Sequence, residues 1–374
     1  MAKKNFAVFN KSLQGASHVK RGVKCQDCSF CGTLGEEYFI IVADGHGGRK
    51  HFRSDRGAII ACNSAAQKIW EYMRAPREIP DLMSEIIKLW RAEVDKDVAK
   101  YPWGKRELEE QKELLTEERF IELVNGKNNY TPYGCTFVAA FTHGDEFIAM
   151  QIGDGAFALV TDDGYYSWPM PESNYNDGNK TYSLCADNPM LDFRFIKGQG
   201  QPLAMFVYSD GIEKTYPNNG RDIIVLLDRL VVLHKGDSEN KEAVVNKGLQ
   251  YVTDNSESGD DVSIAGMINL SCEYVKPRPS PIQLEKEKNA LLAQLREIEN
   301  TISYNSDRRG DLSGNTFVYN STAINQIDEI IARKQKEAEE LRNRITEIDA
   351  KLQEFGEFDT VDNTMSSLFD DDQD

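Results

Sequence analysis

The sequence predicts an α+β fold in which antiparallel β-sheets form a sandwich that is flanked by helices. Short β-type runs alternate with glycine-containing turns from residue 5 to about residue 48, and the same pattern returns after residue 133. Between these regions, residues 52–73 and 81–125 carry apolar positions at helical spacing. The resulting order of β, α, β, α, β with many hairpins is typical of antiparallel sheets covered by helices.

The first strands are expected in "NFAVFN", "DCSFCG" and "EYFIIVADG". Pro80, Pro102 and Gly104 interrupt the helical region, which predicts two or three helices. Strands resume in "YGCTFVAAF", "EFIAMQIGDG" and "AFALVTDDG", and a polar surface excursion is expected at 165–200. The buried strand "LAMFVYSDG", helices at 221–234 and 239–252, and a last strand in "DVSIAGMINL" complete this part.

The composition changes after "KPRPSP" to Glu, Lys, Gln, Leu and Ile, with apolar residues at heptad spacing broken by Lys334. The connector "SDRRGDLSGN" contains two glycines, so an antiparallel helical hairpin is the simplest arrangement, and an intermolecular coiled coil is its alternative. Three regions are therefore predicted: an α+β domain at 1–275, a helical hairpin or coiled coil at 281–354 that offers a surface for a protein partner or self-association, and an acidic disordered tail at 355–374.

The overall charge and hydropathy exclude several classes of function. The 374 residues have a formal net charge of −17, which argues against binding of nucleic acid, since such proteins carry basic surfaces. No apolar run approaches the roughly 18 residues that span a membrane, and the start lacks the features of a secretory signal. Seven cysteines, an odd number, fit reduced thiols. We therefore expect a cytoplasmic protein without membrane segments.

Four aspartates share one setting, in which an apolar run of strand length meets an Asp beside a glycine or at a strand entry. They are Asp44 in "FIIVADGHGG", Asp154 in "IAMQIGDG", Asp210 in "AMFVYSDG" and Asp260 in "SGDDVSIAG". A carboxylate at the edge of a buried core is costly without a counter-charge, and Mg²⁺ or Mn²⁺ would supply one through oxygen ligands. A single Asp-Gly is more often a hairpin turn, as expected for "TDDG" at 161–164, so the repetition carries the prediction.

These motifs also resemble a known family. "ADGHGG", "YGCTFVAAF", "QIGDG", "YSDGI" and "GDDVSIA", in this order between about residue 12 and residue 269, resemble the metal-dependent serine/threonine protein phosphatases of the 2C type (PP2C), especially their bacterial branch. The resemblance implies a PP2C-like β-sandwich of two antiparallel sheets flanked by helices. It also implies that two Mg²⁺ or Mn²⁺ ions activate water to hydrolyse phosphoserine or phosphothreonine in a phosphoprotein substrate.

The resemblance assigns metal ligands by motif. Asp44 would bridge two metals and take part in catalysis, and the carbonyl of Gly45 would bind one of the ions. Asp210 and Asp260 would hold the first metal, and Asp154 would help to bind a third, weaker one.

The segment "KCQDCSFC" corresponds to a strand that usually begins with Glu-Asp in the family, so Asp27 would be the aspartate of that pair and a further metal ligand, and Gln26 replaces the glutamate. A thiolate metal site is the alternative, but the sequence has no second Cys-x-x-Cys and no paired histidines, and Cys28 is expected to be a small core residue. His46 stands where the family has its proposed general acid, and its alternative is a turn residue beside glycine that touches only water.

The phosphate-binding arginine of the family is replaced here by Gly22. Arg21 or Lys20 would substitute for it, with Arg49 and Arg53 as rivals that are otherwise surface charges. Because Gln26 is a poorer ligand than a carboxylate, a catalytically weak pseudophosphatase that acts as an adaptor through its C-terminal helices is the alternative to an active enzyme. A third hypothesis is a docking protein whose heptad region carries the function.

Overall fold

The computed structural model describes residues 4–173, 182–215, 221–237, 239–256, 258–275, 278–279, 281–313 and 320–356. The chain divides into two compact units, Met1–Arg278 and Pro279–Asp374. The described part of the first unit contains the strands up to Arg278 and the shorter helices, and the described part of the second contains two long helices.

The described residues form eleven strands: β1 (Phe6–Leu13), β2 (Cys28–Leu34), β3 (Glu37–Ala43), β4 (Phe137–His143), β5 (Glu146–Ile152), β6 (Ala156–Val160), β7 (Tyr165–Ser167), β8 (Arg194–Gln199), β9 (Ala204–Tyr208), β10 (Val262–Asn269) and β11 (Arg278–Pro279). One sheet has the order β1-β10-β9-β6-β7-β11 and the other β2-β3-β4-β5-β8. The paired strands whose register is known run antiparallel.

Ten α-helices fall within the described residues: α1 (Ala16–Arg21), α2 (Ser54–Arg74), α3 (Ile79–Lys100), α4 (Lys105–Leu114), α5 (Glu117–Val124), α6 (Asp210–Thr215), α7 (Arg221–Lys235), α8 (Lys241–Asn255), α9 (Pro281–Ser313) and α10 (Asn320–Gly356). Four of them occupy the region for which two or three were predicted. Pro80 lies in the first turn of α3, where its missing N–H breaks no helical bond. Pro102 and Gly104 instead separate α3 from α4.

Alternating side chains of the strands build a layered core. On β3, Ile40 and Val42 face the other sheet, whereas Phe39 and Ile41 face the helix layer that contains α2 and α3. The outer face of the first sheet packs against α7 and α8. The predicted α+β class, two antiparallel sheets flanked by helices and followed by C-terminal helices, is confirmed.

The register brings the ends of several strands together. Cys28 pairs with Ala43, so the start of β2 lies beside the end of β3. Tyr208, at the end of β9, pairs with both Ile264 near the start of β10 and Ala156 at the start of β6. The segments that carry the conspicuous aspartates therefore leave the sheets close to one another.

In the second unit, α9 and α10 pack antiparallel. The start of α9 meets the end of α10 through an ion pair between Lys288 and Asp349 (2.7 Å), and the end of α9 meets the start of α10 through Arg309 and Asp328. Leu284, Leu291 and Ile348 form the buried centre of this pair.

The structure of this unit differs from the sequence prediction at the end of α9. The predicted connector began at residue 306, but helix α9 continues to Ser313, because neighbouring helical contacts offset the cost of about 1 kcal/mol for Gly310. Residues 357–374, which hold nearly all of the predicted acidic tail, lie outside the described residues. No helix in the described ranges combines the length and apolar character that a bilayer crossing requires.

Candidate metal centre

A pocket of about 280 Å³ opens where these strand ends meet. Seven residues singled out from the sequence line it, namely Arg21, Asp44, Gly45, His46, Asp154, Asp210 and Asp260. Thr136, Lys214 and Ser258 also contribute to its wall. Residues separated by more than 200 positions in the chain are therefore neighbours in one cavity, as a site assembled from dispersed motifs requires.

Asp44 follows the last residue of β3 and is anchored to the chain before β4. Its backbone N–H donates to Thr136 Oγ1 (3.3 Å), and its carbonyl accepts from the N–H of Thr136 (2.8 Å). The carboxylate therefore has a fixed origin at the edge of the sheet.

Gly45 lies in a place where only glycine fits. Its N–H donates to the carbonyl of Gln26 (3.1 Å), and a Cβ at this position would lie 2.4 Å from that carbonyl oxygen and 2.9 Å from the carbonyl oxygen of Ser54. Both contacts are shorter than side chains tolerate, so the tight approach of the two backbones depends on the missing side chain.

Asp27 is buried beneath the pocket, next to Asp44. Ser209 Oγ donates to Asp27 Oδ2 (2.8 Å) and accepts from the N–H of Ser263 (3.0 Å). Burial, followed by the negative charge of Asp261, raises the pKa of Asp27 to about 7. The carboxyl group is therefore partly protonated near neutral pH when no cation is bound.

The pocket concentrates negative charge. Burial raises the pKa of Asp44 well above its usual range, and the charges of Asp27 and Asp210 add to the effect. The pKa of Asp210 is raised by burial and by Asp154. Asp210 Oδ1 is also buried without a hydrogen-bond partner among the described residues. Buried, mutually repelling carboxylates with a spare oxygen fit the ligand preference of Mg²⁺ or Mn²⁺.

Lys214 places a positive charge beside two of these carboxylates. Its ammonium lies 2.7 Å from Asp210 Oδ2 and 3.2 Å from Asp260 Oδ2. Within the described residues, no three His, Cys, Asp or Glu side chains are already gathered as ligands around one point. No role was predicted for Lys214 from the sequence; its position four residues after Asp210, one helical turn away, was the available signal.

A second group that sequence reasoning missed supports the site from below. Asp261 is 2% exposed; its Oδ1 accepts from the N–H of Gly15 (2.7 Å), and its Oδ2 accepts from the N–H of Gln26 (2.6 Å) and lies 2.9 Å from His18 Nδ1. The doubled aspartate of "GDD" was the only hint in the sequence. Asp261 ties the entry of β10 to the segment that carries Asp27.

His46 lines the pocket and is held by its backbone, because its N–H donates to the carbonyl of Gly134 (3.1 Å). Its ring centre lies 4.7 Å from that of His51. Burial and the charge of Lys50 lower the pKa of His46 to about 4. The imidazole is therefore neutral at pH 7 in the metal-free protein.

The candidate phosphate-binding cations lie in different surroundings. Arg21 lines the pocket from α1 and is steadied by Ser17, whose Oγ accepts from Nη2 (3.2 Å). Arg53 is buried and forms two bonds to Glu107 (2.9 and 2.8 Å), so its guanidinium is committed to the helix layer. Lys20 and Arg49 are exposed and are not part of the pocket wall.

The cysteines of "KCQDCSFC" face separate surroundings. Cys31 Sγ lies 3.1 Å from Asn10 Oδ1, and Cys25 Sγ approaches the carbonyl of Asp27 (3.8 Å). Cys28 packs against the helix-covered core, where Cys62 Sγ contacts its carbonyl (3.4 Å). All seven thiols of the chain are free.

Comparison with known proteins gives one sequence match of wide extent. The family model described as "Protein phosphatase 2C" matches residues 14–247. No curated protein matches the chain. The segment matched by the family model contains six of the seven pocket-lining residues named above and ends before the seventh, Asp260.

Several solved structures are similar at low identity. A structure of the catalytic domain of the serine threonine protein phosphatase PstP in complex with two manganese ions is 11% identical, covering 70% of this chain and 97% of that one, with a TM-score of 0.44. PppA from Pseudomonas aeruginosa is 14% identical over 71% of this chain and 97% of its own, with a TM-score of 0.43. The S. agalactiae serine/threonine phosphatase is 15% identical over 71% and 100%, with a TM-score of 0.44.

Proposed function

The chain belongs to the protein phosphatase 2C family, and from this premise we propose that it hydrolyses phosphoserine and phosphothreonine in proteins with the help of bound Mg²⁺ or Mn²⁺. The observation that supports the proposal most strongly is that four aspartates from separate strand ends, Asp44, Asp154, Asp210 and Asp260, line one pocket. The family match confirms the relationship that the sequence motifs predicted.

In this proposal Asp44, the carbonyl of Gly45, Asp210 and Asp260 hold two divalent ions, and Asp154 contributes to a third, weaker position. Asp27 lies behind Asp44 and completes the negative surroundings. When bound, the ions supply Lewis acidity that activates water and balances the charge of a phosphate group.

The buried carboxyl groups must lose their protons before they can act as ligands. The pKa of Asp27 is about 7, and that of Asp44 is well above its ordinary range, so ion binding releases protons near neutral pH. Lowering the pH should therefore weaken ion binding.

Two further residues act on the substrate in this proposal. Arg21 binds the phosphate oxygens, since its guanidinium lines the pocket and can form paired hydrogen bonds to them. His46 donates a proton to the departing serine or threonine oxygen. Because its imidazole is neutral in the metal-free protein, this role requires that the phosphate dianion beside it raise its pKa.

The test is phosphate release from phosphoserine and phosphothreonine peptides by the purified full-length chain, with Mn²⁺, Mg²⁺ or a chelator present. We expect turnover only with the ions, and a loss of at least about a hundredfold in Asp44→Asn and Asp210→Asn, since each removes a ligand charge. Asp145→Asn, an exposed position in the β4–β5 turn, is the control and should keep full activity.

The adaptor hypothesis gains its support from two observations near the ligands. Gln26 stands where a glutamate is usual, and Nζ of Lys214 contacts two of the proposed ligands. A wild-type protein that binds phosphopeptides but stays inert with every divalent ion would favour the adaptor over the enzyme.

A further inference from the structure

Lys214 lies in an unusual position for a residue of a metal-binding pocket. It projects from α6, which begins at Asp210, and its ammonium bridges Asp210 (2.7 Å) and Asp260 (3.2 Å). Asp210 and Asp260 are the two residues that would share the first divalent ion. A single ammonium thus contacts both carboxylates that the ion would need.

The charges around Lys214 explain why its side chain adopts this position. Asp210 is largely buried, and Asp154 and Asp260 add to the negative potential there. Without a counter-charge, such a group of carboxylates repels itself in surroundings of low polarity. The ammonium therefore stabilises the pocket while no ion is bound.

The same position conflicts with ion binding. Asp210 Oδ2 and Asp260 Oδ2 are the oxygens that contact Nζ, and a divalent ion that shared these oxygens would place its charge next to the ammonium and repel it. The Lys214 side chain is 45% exposed, so it can turn outward without breaking the core.

We infer that Lys214 is a built-in competitor of the divalent ion: its ammonium neutralises Asp210 and Asp260 in the metal-free protein and is displaced when the ion binds. This inference rests on the proposed metal-dependent function. It assigns Lys214 a role in setting how much Mg²⁺ or Mn²⁺ is needed to fill the site. Lys214 acts through Asp210 and Asp260 and is therefore a positioning residue.

The first experiment measures Mn²⁺ binding by calorimetry to wild type, Lys214→Met and Lys197→Met. Lys197 is exposed on β8 and outside the pocket wall, so its variant makes the same change in net charge. Because the competing ammonium is absent, Lys214→Met should bind Mn²⁺ about tenfold more tightly than wild type. The Lys197→Met variant should bind Mn²⁺ as wild type does.

The second experiment needs no variant and tests displacement directly. Wild-type protein is treated with an amine-acylating reagent with and without Mn²⁺, and labelling of each lysine is quantified by mass spectrometry. Ligand binding usually protects nearby side chains from labelling. Here Mn²⁺ should instead raise the labelling of Lys214 several-fold, because its amine moves away from the two carboxylates that shield it. Labelling of Lys197 should not change.

The outcomes separate this inference from the function on which it rests. If Mn²⁺ binds wild type and Lys214→Met equally and labelling of Lys214 is unchanged or reduced, the inference is wrong while the metal-dependent function stands. If neither protein binds Mn²⁺, both are wrong. Tighter binding by Lys214→Met together with increased labelling supports the inference.

Discussion

Replacement of Asp261 tests how the pocket is supported. Its carboxylate accepts from the N–H groups of Gly15 (2.7 Å) and Gln26 (2.6 Å), and it lies 2.9 Å from His18 Nδ1. Asp261→Ala removes all these contacts at once and leaves a cavity at the entry of β10. The segment that precedes Asp27 would then lose its attachment to that strand.

The expected cost follows from the groups left without a partner. A buried donor that loses its acceptor costs about 1–3 kcal/mol, and two backbone donors are affected, so Asp261→Ala should lower the free energy of unfolding by about 2–6 kcal/mol. For a domain of this size, about 2–4 °C of melting temperature corresponds to each kcal/mol, which predicts a fall of roughly 10 °C. Asp261→Asn keeps one acceptor oxygen, so its melting temperature should lie between those of wild type and Asp261→Ala.

The assay is thermal and urea unfolding of the metal-free protein, followed by circular dichroism. Asp145→Ala is the matched control, because it removes a carboxylate from an exposed turn and should change stability by less than about 0.5 kcal/mol. If Asp261→Ala were as stable as Asp145→Ala, the reasoning that these backbone contacts hold the site together would be refuted.

Three further predictions concern the arginines, the effect of pH and the C-terminal helices. Arg21→Ala should raise KM for a phosphopeptide without changing the melting temperature. Arg53→Ala should lose about 3–5 kcal/mol of stability, because Glu107 is left as a half-buried carboxylate without its partner. If the two variants had equal effects on KM and on the melting temperature, this difference in roles would be contradicted. Since burial raises the pKa of Asp27 from 3.8 to about 7, the native metal-free protein keeps a proton that the unfolded chain releases, so its stability should fall as the pH rises between about 4 and 7. Asp27→Asn should reduce that slope in urea titrations at several pH values, and an unchanged slope would show that Asp27 is not the group responsible. Deletion of 281–374 should leave turnover of a small phosphoester unchanged, and its loss would show that the two long helices are needed for catalysis.

The sequence predicted those site residues that stand in a recognisable local pattern. Asp44 and Asp210 each end an apolar run and precede glycine, and this pattern is visible without any knowledge of the fold. The contact between Asp261 and Gly15 joins positions 246 residues apart, and no periodicity encodes it. Likewise, only the folded structure separates Arg21, which lines the pocket, from Arg53, which is bound to Glu107.

The elements of the fold were predictable where the local apolar pattern is strong and were missed where it is weak. Strands of alternating or continuous apolar residues were recognised, as were the helices α7 and α8. The number of helices before β4 was underestimated, because α4 carries mostly polar residues and α5, although amphipathic, is only eight residues long. In α9, packing against α10 outweighs the low helix propensity of Gly310, which the sequence pattern had marked as part of a loop.

The central proposal is that aspartates from distant strand ends hold a pair of divalent ions at one end of the sandwich. Anomalous diffraction from crystals soaked in Mn²⁺ tests it most directly. We expect two strong anomalous peaks in the pocket, both within ligand distance of Asp44, with Asp210 and Asp260 around one of them. A fully soaked crystal without an anomalous peak in this pocket, or with Mn²⁺ bound only elsewhere, would contradict it.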